Sequence, residues 1–311
     1  MDNLLLIDGH NLLFRMFFGM PFPFTNSIGK DITATVGFIG ALAKTINFCK
    51  AENCLVVFDG ENSIVDKQKE NEEYKQGRPD LSTLENNPFE QLDYIKKCLD
   101  FLHISWIETD GFECDDYIAY ISNNNSKNTY ILSSDKDFYQ LVTNNVKIIN
   151  YKGKNSTYID KDFIYEKYQV LPTNFCLYKS LIGDKSDNIK GISGVGPKTT
   201  VNIINAIQDV SNLDSLTNNF NSFINTHLEE FKEKSNKYIQ KFVNNIDIIR
   251  KNYNLIKLPT PKYNYPPIKE SYPIEYALLK NFKPLRDIDI LTTQNCSTWN
   301  ILTCNLFNAE K

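Results

Sequence analysis

The sequence predicts an α/β layered fold with a mostly parallel central sheet. Short apolar runs recur without the alternation of a half-exposed strand, segments of helical periodicity separate them, and three of the runs lead into an aspartate. Apolar runs of four to six residues read as strands buried on both faces, as in parallel sheets. Strands alternating with helices indicate layered α/β architecture.

The first run, Asn3 to Ile7, ends in Asp8-Gly9. Thr33 to Lys50 follows, with Val36, Phe38, Ile39, Leu42, Ile46 and Phe48 at helical spacing. The second run, Cys54 to Phe58, ends in Asp59-Gly60, and the segments Phe89–Leu102 and Glu113–Ile121 are again helix-like. The third, Thr129 to Leu132, passes through Ser133 and Ser134 into Asp135, and Val146 to Tyr151 makes a fourth.

The chain has 311 residues, enough to bury a core. No apolar stretch is long enough for a signal peptide or a membrane span. Seven cysteines and three histidines lie scattered without a CxxC pair, which argues against structural zinc and a disulfide framework and for a reducing, cytoplasmic setting. The net charge of −4 taken alone argues against a nucleic-acid binder.

Where those acids lie changes that reading. Parallel strands present functional groups at their carboxyl ends. One aspartate there is an ordinary turn residue or helix cap, but three should meet in space and repel unless a cation sits among them. Glu113, Asp115 and Asp116 cluster at a helix start, where one or two acids would suffice for capping. Asp135 and Asp137, then Asp184 and Asp187, complete a set of nine carboxylates without histidine. Such a hard-oxygen site suits magnesium best, with manganese a plausible substitute. A calcium EF-hand beginning at Asp184 fails, with Ile189 and Val195 at its glycine and glutamate positions. So many charges imply two or more ions; a pair about 4 Å apart would clamp both oxygens of an in-line phosphoryl displacement. Setting the nine aside turns the formal charge from −4 to +5, compatible with a DNA-facing surface.

The string Gly191-Ile-Ser-Gly194-Val-Gly196-Pro-Lys198-Thr199 is not a P-loop, because Pro197 separates the last glycine from the lysine and no buried strand precedes it. It reads as a helix-hairpin-helix turn. Backbone N–H groups at the following helix would hold a DNA phosphate, Lys198 would add charge, and no sequence would be read. A plain helix–helix turn is the alternative.

Six motifs in order, Asp8-Gly-His-Asn-Leu-Leu-Phe-Arg15, Phe58-Asp59, Tyr74-Lys75-Gln-Gly-Arg78-Pro79, Glu113-Cys-Asp-Asp116, Ser134-Asp-Lys-Asp137 and Ile182 to Ile189 with the glycine hairpin, resemble the 5′-nuclease family. That family includes the 5′→3′ exonuclease domain of bacterial DNA polymerase I, phage 5′-exonucleases and flap endonucleases. The resemblance implies a free-standing member with a PIN-like nuclease domain over 1–170, including an arch over about 61–90. A helix-three-turn-helix DNA-binding region over 171–260 would follow, then an extension over 261–311 packing back through Tyr272, Tyr276, Leu278, Phe282 and Ile301.

By the same resemblance Asp8, Asp59 and Glu113 would hold a first metal, with Asp115 between the ions. Asp135, Asp137 and Asp187 would hold a second, and Asp116 and Asp184 would act directly or through water. Potassium would sit on hairpin carbonyls between Gly191 and Gly196. In the arch, Lys75 and Arg78, one helical turn apart, would serve catalysis at one phosphate; Tyr74 would stack on a base. Lys67, where relatives carry arginine, would steer phosphate, and Arg15 would belong to the DNA-binding set.

The function implied is a magnesium-dependent 5′→3′ exonuclease or flap endonuclease. It would act, as a monomer, on DNA with a 5′ single-stranded end, flap or nick, RNA-primed DNA included. The rivals are a structure-specific DNA-binding protein with little catalysis and a PIN-like ribonuclease that would lack the hairpin.

Overall fold

The computed structural model describes residues 2–280 apart from 27, 84–86 and 212–219. In chain order the structure opens with β1 (Asn3–Asp8), α1 (Gly9–Gly19), α2 (Thr33–Cys49), β2 (Asn53–Phe58), α3 (Val65–Glu70), α4 (Leu92–Phe101), β3 (Ser105–Glu108), α5 (Cys114–Asn123), β4 (Asn128–Leu132), β5 (Val146–Asn150), β6 (Thr157–Ile159) and α6 (Lys161–Tyr168). Then come α7 (Phe175–Ile182), the two-residue strands β7 (Gly183–Asp184) and β8 (Ile189–Lys190), and the helices α8 (Pro197–Ser211), α9 (Phe220–Glu233), α10 (Lys237–Val243), α11 (Ile246–Ile256) and α12 (Tyr276–Lys280).

Six strands form one sheet in the order β3-β2-β1-β4-β5-β6, parallel except for β6. Side chains alternate across a strand, and both faces here are apolar because both are covered. Leu4, Leu6, Leu55 and Val57 face the cluster shared with α5, α7 and α8. Leu5, Ile7, Cys54, Val56 and Phe58 face the one built on α1, α2 and α4.

Two strands of this sheet escape sequence reading. The edge strand β3, Ser-Trp-Ile-Glu, is only half-buried and so mixes polar and apolar residues. The other edge, β6, has three residues, too few to show a period. Near the end of the described chain, the Cys54 N–H donates to the Tyr272 carbonyl at 2.8 Å, Ile274 N–H to Glu52 O at 3.1 Å, and Leu279 is buried. Phe282 and Ile301 lie outside the described residues. Among the described residues no helix is long and apolar enough to cross a membrane, and Cys49, Cys54, Cys98, Cys114 and Cys176 are buried free thiols.

Candidate metal and nucleic-acid site

Strands β2, β1 and β4 are neighbours and parallel, so their carboxyl ends lie side by side. Asp8 closes β1 and caps α1, accepting the Asn11 N–H at 3.1 Å; Ser133 Oγ donates to its other oxygen at 2.9 Å. Asp59 follows β2 and accepts the Cys114 N–H at 2.8 Å, which ties it to the start of α5. Glu113 occupies the α5 cap position, with Asp115 and Asp116 in the first turn. Beyond β4, Asp135 accepts the Asp137 N–H at 2.8 Å. Asp184 ends β7, and Asp187 lies in the turn to β8.

Two carboxylate groups result, Glu113/Asp115/Asp116 and Asp137/Asp184/Asp187, with ligand oxygens within 4.8 Å of one another in each. Burial, then Asp59 and Asp135, push Asp8 up to about 6, which makes it the electrostatic link between the β1, β2 and β4 ends. Burial and Asp135 push Asp137 up to about 7, against the pull of Lys179. Burial raises Asp115 well above the carboxylate range, and Glu113 and Asp116 add to it. Glu113 behaves oppositely: burial raises it, but Lys67 and Lys75 outweigh burial and hold it at about 2.

Four cationic side chains enter this basin. Lys67, on α3, is 2% exposed, its Nζ 2.6 Å from Glu113 and 3.1 Å from Asp116. Its expected phosphate-steering role is therefore corrected: a sealed ammonium balances protein carboxylates and meets no solvent-borne phosphate. Tyr74 is corrected likewise. It is also 2% exposed and donates its OH to Glu113 Oε2 at 2.9 Å, so its ring is not available to stack on a base.

The reason is a tight turn, not a helix, over 72–77, with Lys75 at φ +55° and Gly77 at φ +83°. The helical spacing expected of Lys75 and Arg78 is absent, yet both reach the basin. Lys75 Nζ pairs with Glu113, and Arg78 Nη2 lies 2.5 Å from Asp187. Lys179 on α7, which sequence reading missed, pairs with Asp137 and Asp184. Arg15 is tied down, donating to the Tyr151 carbonyl with its guanidinium 5.8 Å above that ring.

At the hairpin, a Cβ on Gly191 would stand 2.2 Å from the Ile182 carbonyl carbon, so only glycine lets its limbs close. Gly194 adopts φ +67°, and its carbonyl accepts Lys241 Nζ at 3.3 Å. Gly196 O accepts the Thr200 N–H at 2.9 Å. Lys198 is exposed and Thr199 half-buried in the first turn of α8.

Two family models cover most of the chain: "5′-3′ exonuclease, N-terminal resolvase-like domain" over residues 3–169 and "5′-3′ exonuclease, C-terminal SAM fold" over 170–263. The chain belongs to the 5′-3′ exonuclease family. A 5′-3′ exonuclease of Aquifex aeolicus is 35% identical over 217 residues, covering 68% of this chain and 72% of that protein. The thermostable DNA polymerase I of Thermus thermophilus is 33% identical over 236 residues, covering 73% of this chain and 27% of the polymerase, so this chain spans about a quarter of such a protein. A bacteriophage T5 flap endonuclease complex with DNA and metal ions superposes with TM-score 0.60 at 23% identity, covering 83% of this chain and 90% of that one. The catalytic core of Rad2 with DNA substrate gives 0.54 at 14%, covering 98% and 93%. At such identities the likeness is one of fold.

As a member of this family the chain is a nuclease that hydrolyses DNA, and its acidic residues fit divalent ions. The donors are all hard oxygens, and the buried Asp116 Oδ2 meets the Lys67 ammonium, at 3.1 Å, in place of a hydrogen-bond donor of good geometry. The other Asp116 oxygen accepts the Thr260 N–H at 2.7 Å, a contact from 144 residues away that no motif announces. His10 was missed too: its Nδ1 accepts the Asp59 N–H at 3.0 Å, which requires the neutral ring protonated at Nε2. With Nδ1 so used, the 3.6 Å approach of His10 to the Asp59 carboxylate is not an ion pair. The only signal for Lys179 was a lone cation in the apolar string Phe175 to Ile182.

Raised carboxylates give the chain a pH signature. Asp8 and Asp137 hold protons up to about 6 and about 7, and a divalent ion must displace them. The rise in thermal midpoint on adding magnesium is expected to be small near about pH 5 and to grow toward about pH 8. A gain independent of pH in thermal scanning would contradict it.

Proposed function

We propose that this chain is a magnesium-dependent 5′ nuclease, with manganese an effective substitute, that removes nucleotides from DNA bearing a 5′ single-stranded end, flap or nick, RNA-primed ends included. The observation that carries this reading is the pair of carboxylate groups Glu113/Asp115/Asp116 and Asp137/Asp184/Asp187, with Asp8, Asp59 and Asp135 acting on one another and on these groups electrostatically and Lys75 and Arg78 paired to Glu113 and Asp187. Asp8, Asp59, Glu113, Asp115 and Asp116 would hold ions on one side and Asp135, Asp137, Asp184 and Asp187 on the other. Bound divalent ions would lower the pKa of an attacking water and neutralise charge on the scissile phosphate.

The chain's own groups do the rest. Lys75 and Arg78, which pair with Glu113 and Asp187, would bind the non-bridging phosphate oxygens, where charge develops. The N–H groups at the start of α8, with Lys198 and Thr199, hold the duplex backbone. The same reading allows potassium on the hairpin carbonyls, although Lys241 already brings an ammonium to Gly194. Its buried free thiols suit the reducing cytoplasm.

The test is a 5′-labelled flap and a blunt duplex incubated with magnesium, with and without chelator. Chelator-sensitive release of short labelled products from the flap is expected, and an uncut flap in magnesium would refute the reading. Lys198→Ala is expected to weaken duplex binding uniformly across sequences and to lower the salt slope by about one; an unchanged slope in a binding titration would remove Lys198 from the interface.

A further inference from the structure

The limb that carries Lys75 and Arg78 and the loop that carries Asp184 and Asp187 grip each other through two reciprocal hydrogen bonds. Lys75 N–H donates to the Asp187 carbonyl at 3.0 Å. In return Asn188 Nδ2 donates to the Glu73 carbonyl at 2.9 Å. Both Lys75, at φ +55°, and Asn188, at φ +57°, are left-handed. Asparagine tolerates that region better than most side chains, and unlike glycine it also carries a donor. Around this hook, Lys190 Nζ lies 2.8 Å from Glu73 Oε2 and Arg78 Nε donates to Ser186 O at 3.3 Å. The exposed Lys190–Glu73 pair adds little by itself; the backbone-directed bonds set the register.

We propose that Asn188 is a positioning residue whose carboxamide registers the arch limb on the ligand loop, so that Lys75 is aimed into the acidic basin. The inference rests on the proposed role of Lys75 and goes beyond it. A hook of two bonds is open or closed as a unit, and only when it is closed does the strained backbone of Lys75 point its ammonium at Glu113. Misplacing a phosphate-binding cation by about 1 Å costs on the order of 100-fold in rate. Duplex affinity, proposed for the start of α8 and Lys198, is expected to stay unchanged.

Asn188→Gly tests this, because glycine keeps the left-handed backbone and removes only the carboxamide. Flap cleavage is expected to lose about 10- to 100-fold in kcat, while KM for DNA and the magnesium-induced thermal shift stay at wild-type values. Asn188→Asp, which sets a carboxylate against the Glu73 carbonyl, is expected to be at least as impaired. In a Lys75→Ala background, Asn188→Gly is expected to cause no further loss, because both act through the same ammonium. A wild-type kcat in Asn188→Gly, or losses that simply multiply with those of Lys75→Ala, would overturn the positioning role. A wild-type kcat in Lys75→Ala would instead overturn the reading of Lys75 itself.

Discussion

Asp8→Asn is expected to abolish cleavage and at the same time to make the metal-free protein more stable. Asparagine keeps one oxygen, which can accept the Asn11 N–H and cap α1, and its NH2 can donate to Ser133 Oγ in place of the bond that Ser133 now gives, so the local fold survives. What disappears is one negative charge at the junction of the β1, β2 and β4 ends. Losing one charged ligand from a site that must hold divalent cations is expected to lower kcat by at least about 10³-fold, with duplex affinity nearly unchanged.

The stability gain follows from linkage. An unfolded Asp8 ionises near 3.8, whereas the folded one keeps its proton up to about 6. The folded state therefore binds more protons between those values, stability falls as pH rises through them, and above about 6 the full penalty applies. Two pH units correspond to roughly 3 kcal/mol, so at neutral pH in chelator the variant is expected to melt several degrees higher. Below about pH 4 the advantage should vanish. An unchanged melting temperature at neutral pH would mean that Asp8 is not strained by its neighbours, and substantial residual cleavage would remove it from the ion site.

The same feature explains what was legible in the sequence. Asp8, Asp59 and Asp135 could be found because strands buried on both faces leave unbroken apolar runs, and the acid that ends each run stands out. That they should meet followed from parallel pairing, and the strand order β2-β1-β4 is what brings them together. Spacing failed where the backbone leaves regular structure. The interval from Lys75 to Arg78 looks helical, but the left-handed turn at Lys75 and Gly77 folds Tyr74 inward onto Glu113. Lys179 and Thr260 were invisible for another reason: neither lies in a motif built on acids, Thr260 meets Asp116 across a long stretch of chain, and Lys179, although Asp184 is near in sequence, stands alone in an apolar helix. Charge balance foretold that cations must be present but not that lysines of the same chain supply part of them.

That internal balance predicts a large effect for Lys67→Met, which keeps most of the unbranched side chain and removes the charge. Burial lowers the affinity of the Lys67 ammonium for its proton, but Asp115, Glu113 and Asp116 reverse this and raise its pKa well above the usual lysine value. The folded pKa lies above the unfolded one, so the stabilisation is fully present at neutral pH and is lost only as pH rises through the folded value. Removing one partner of a buried ion pair leaves the other uncompensated and costs about 3–5 kcal/mol. The variant is thus expected to melt roughly 10 °C lower in chelator. Magnesium is expected to recover much of that loss, and a larger share than it adds to the wild type, because Glu113, Asp115 and Asp116 already place three oxygens within 4.8 Å of one another. Calorimetric scans of both proteins in chelator and in magnesium measure the two shifts directly. If the variant melted like wild type in chelator, Lys67 would not be the counter-ion of this group; if magnesium stabilised both proteins equally, the ions would bind elsewhere in the basin.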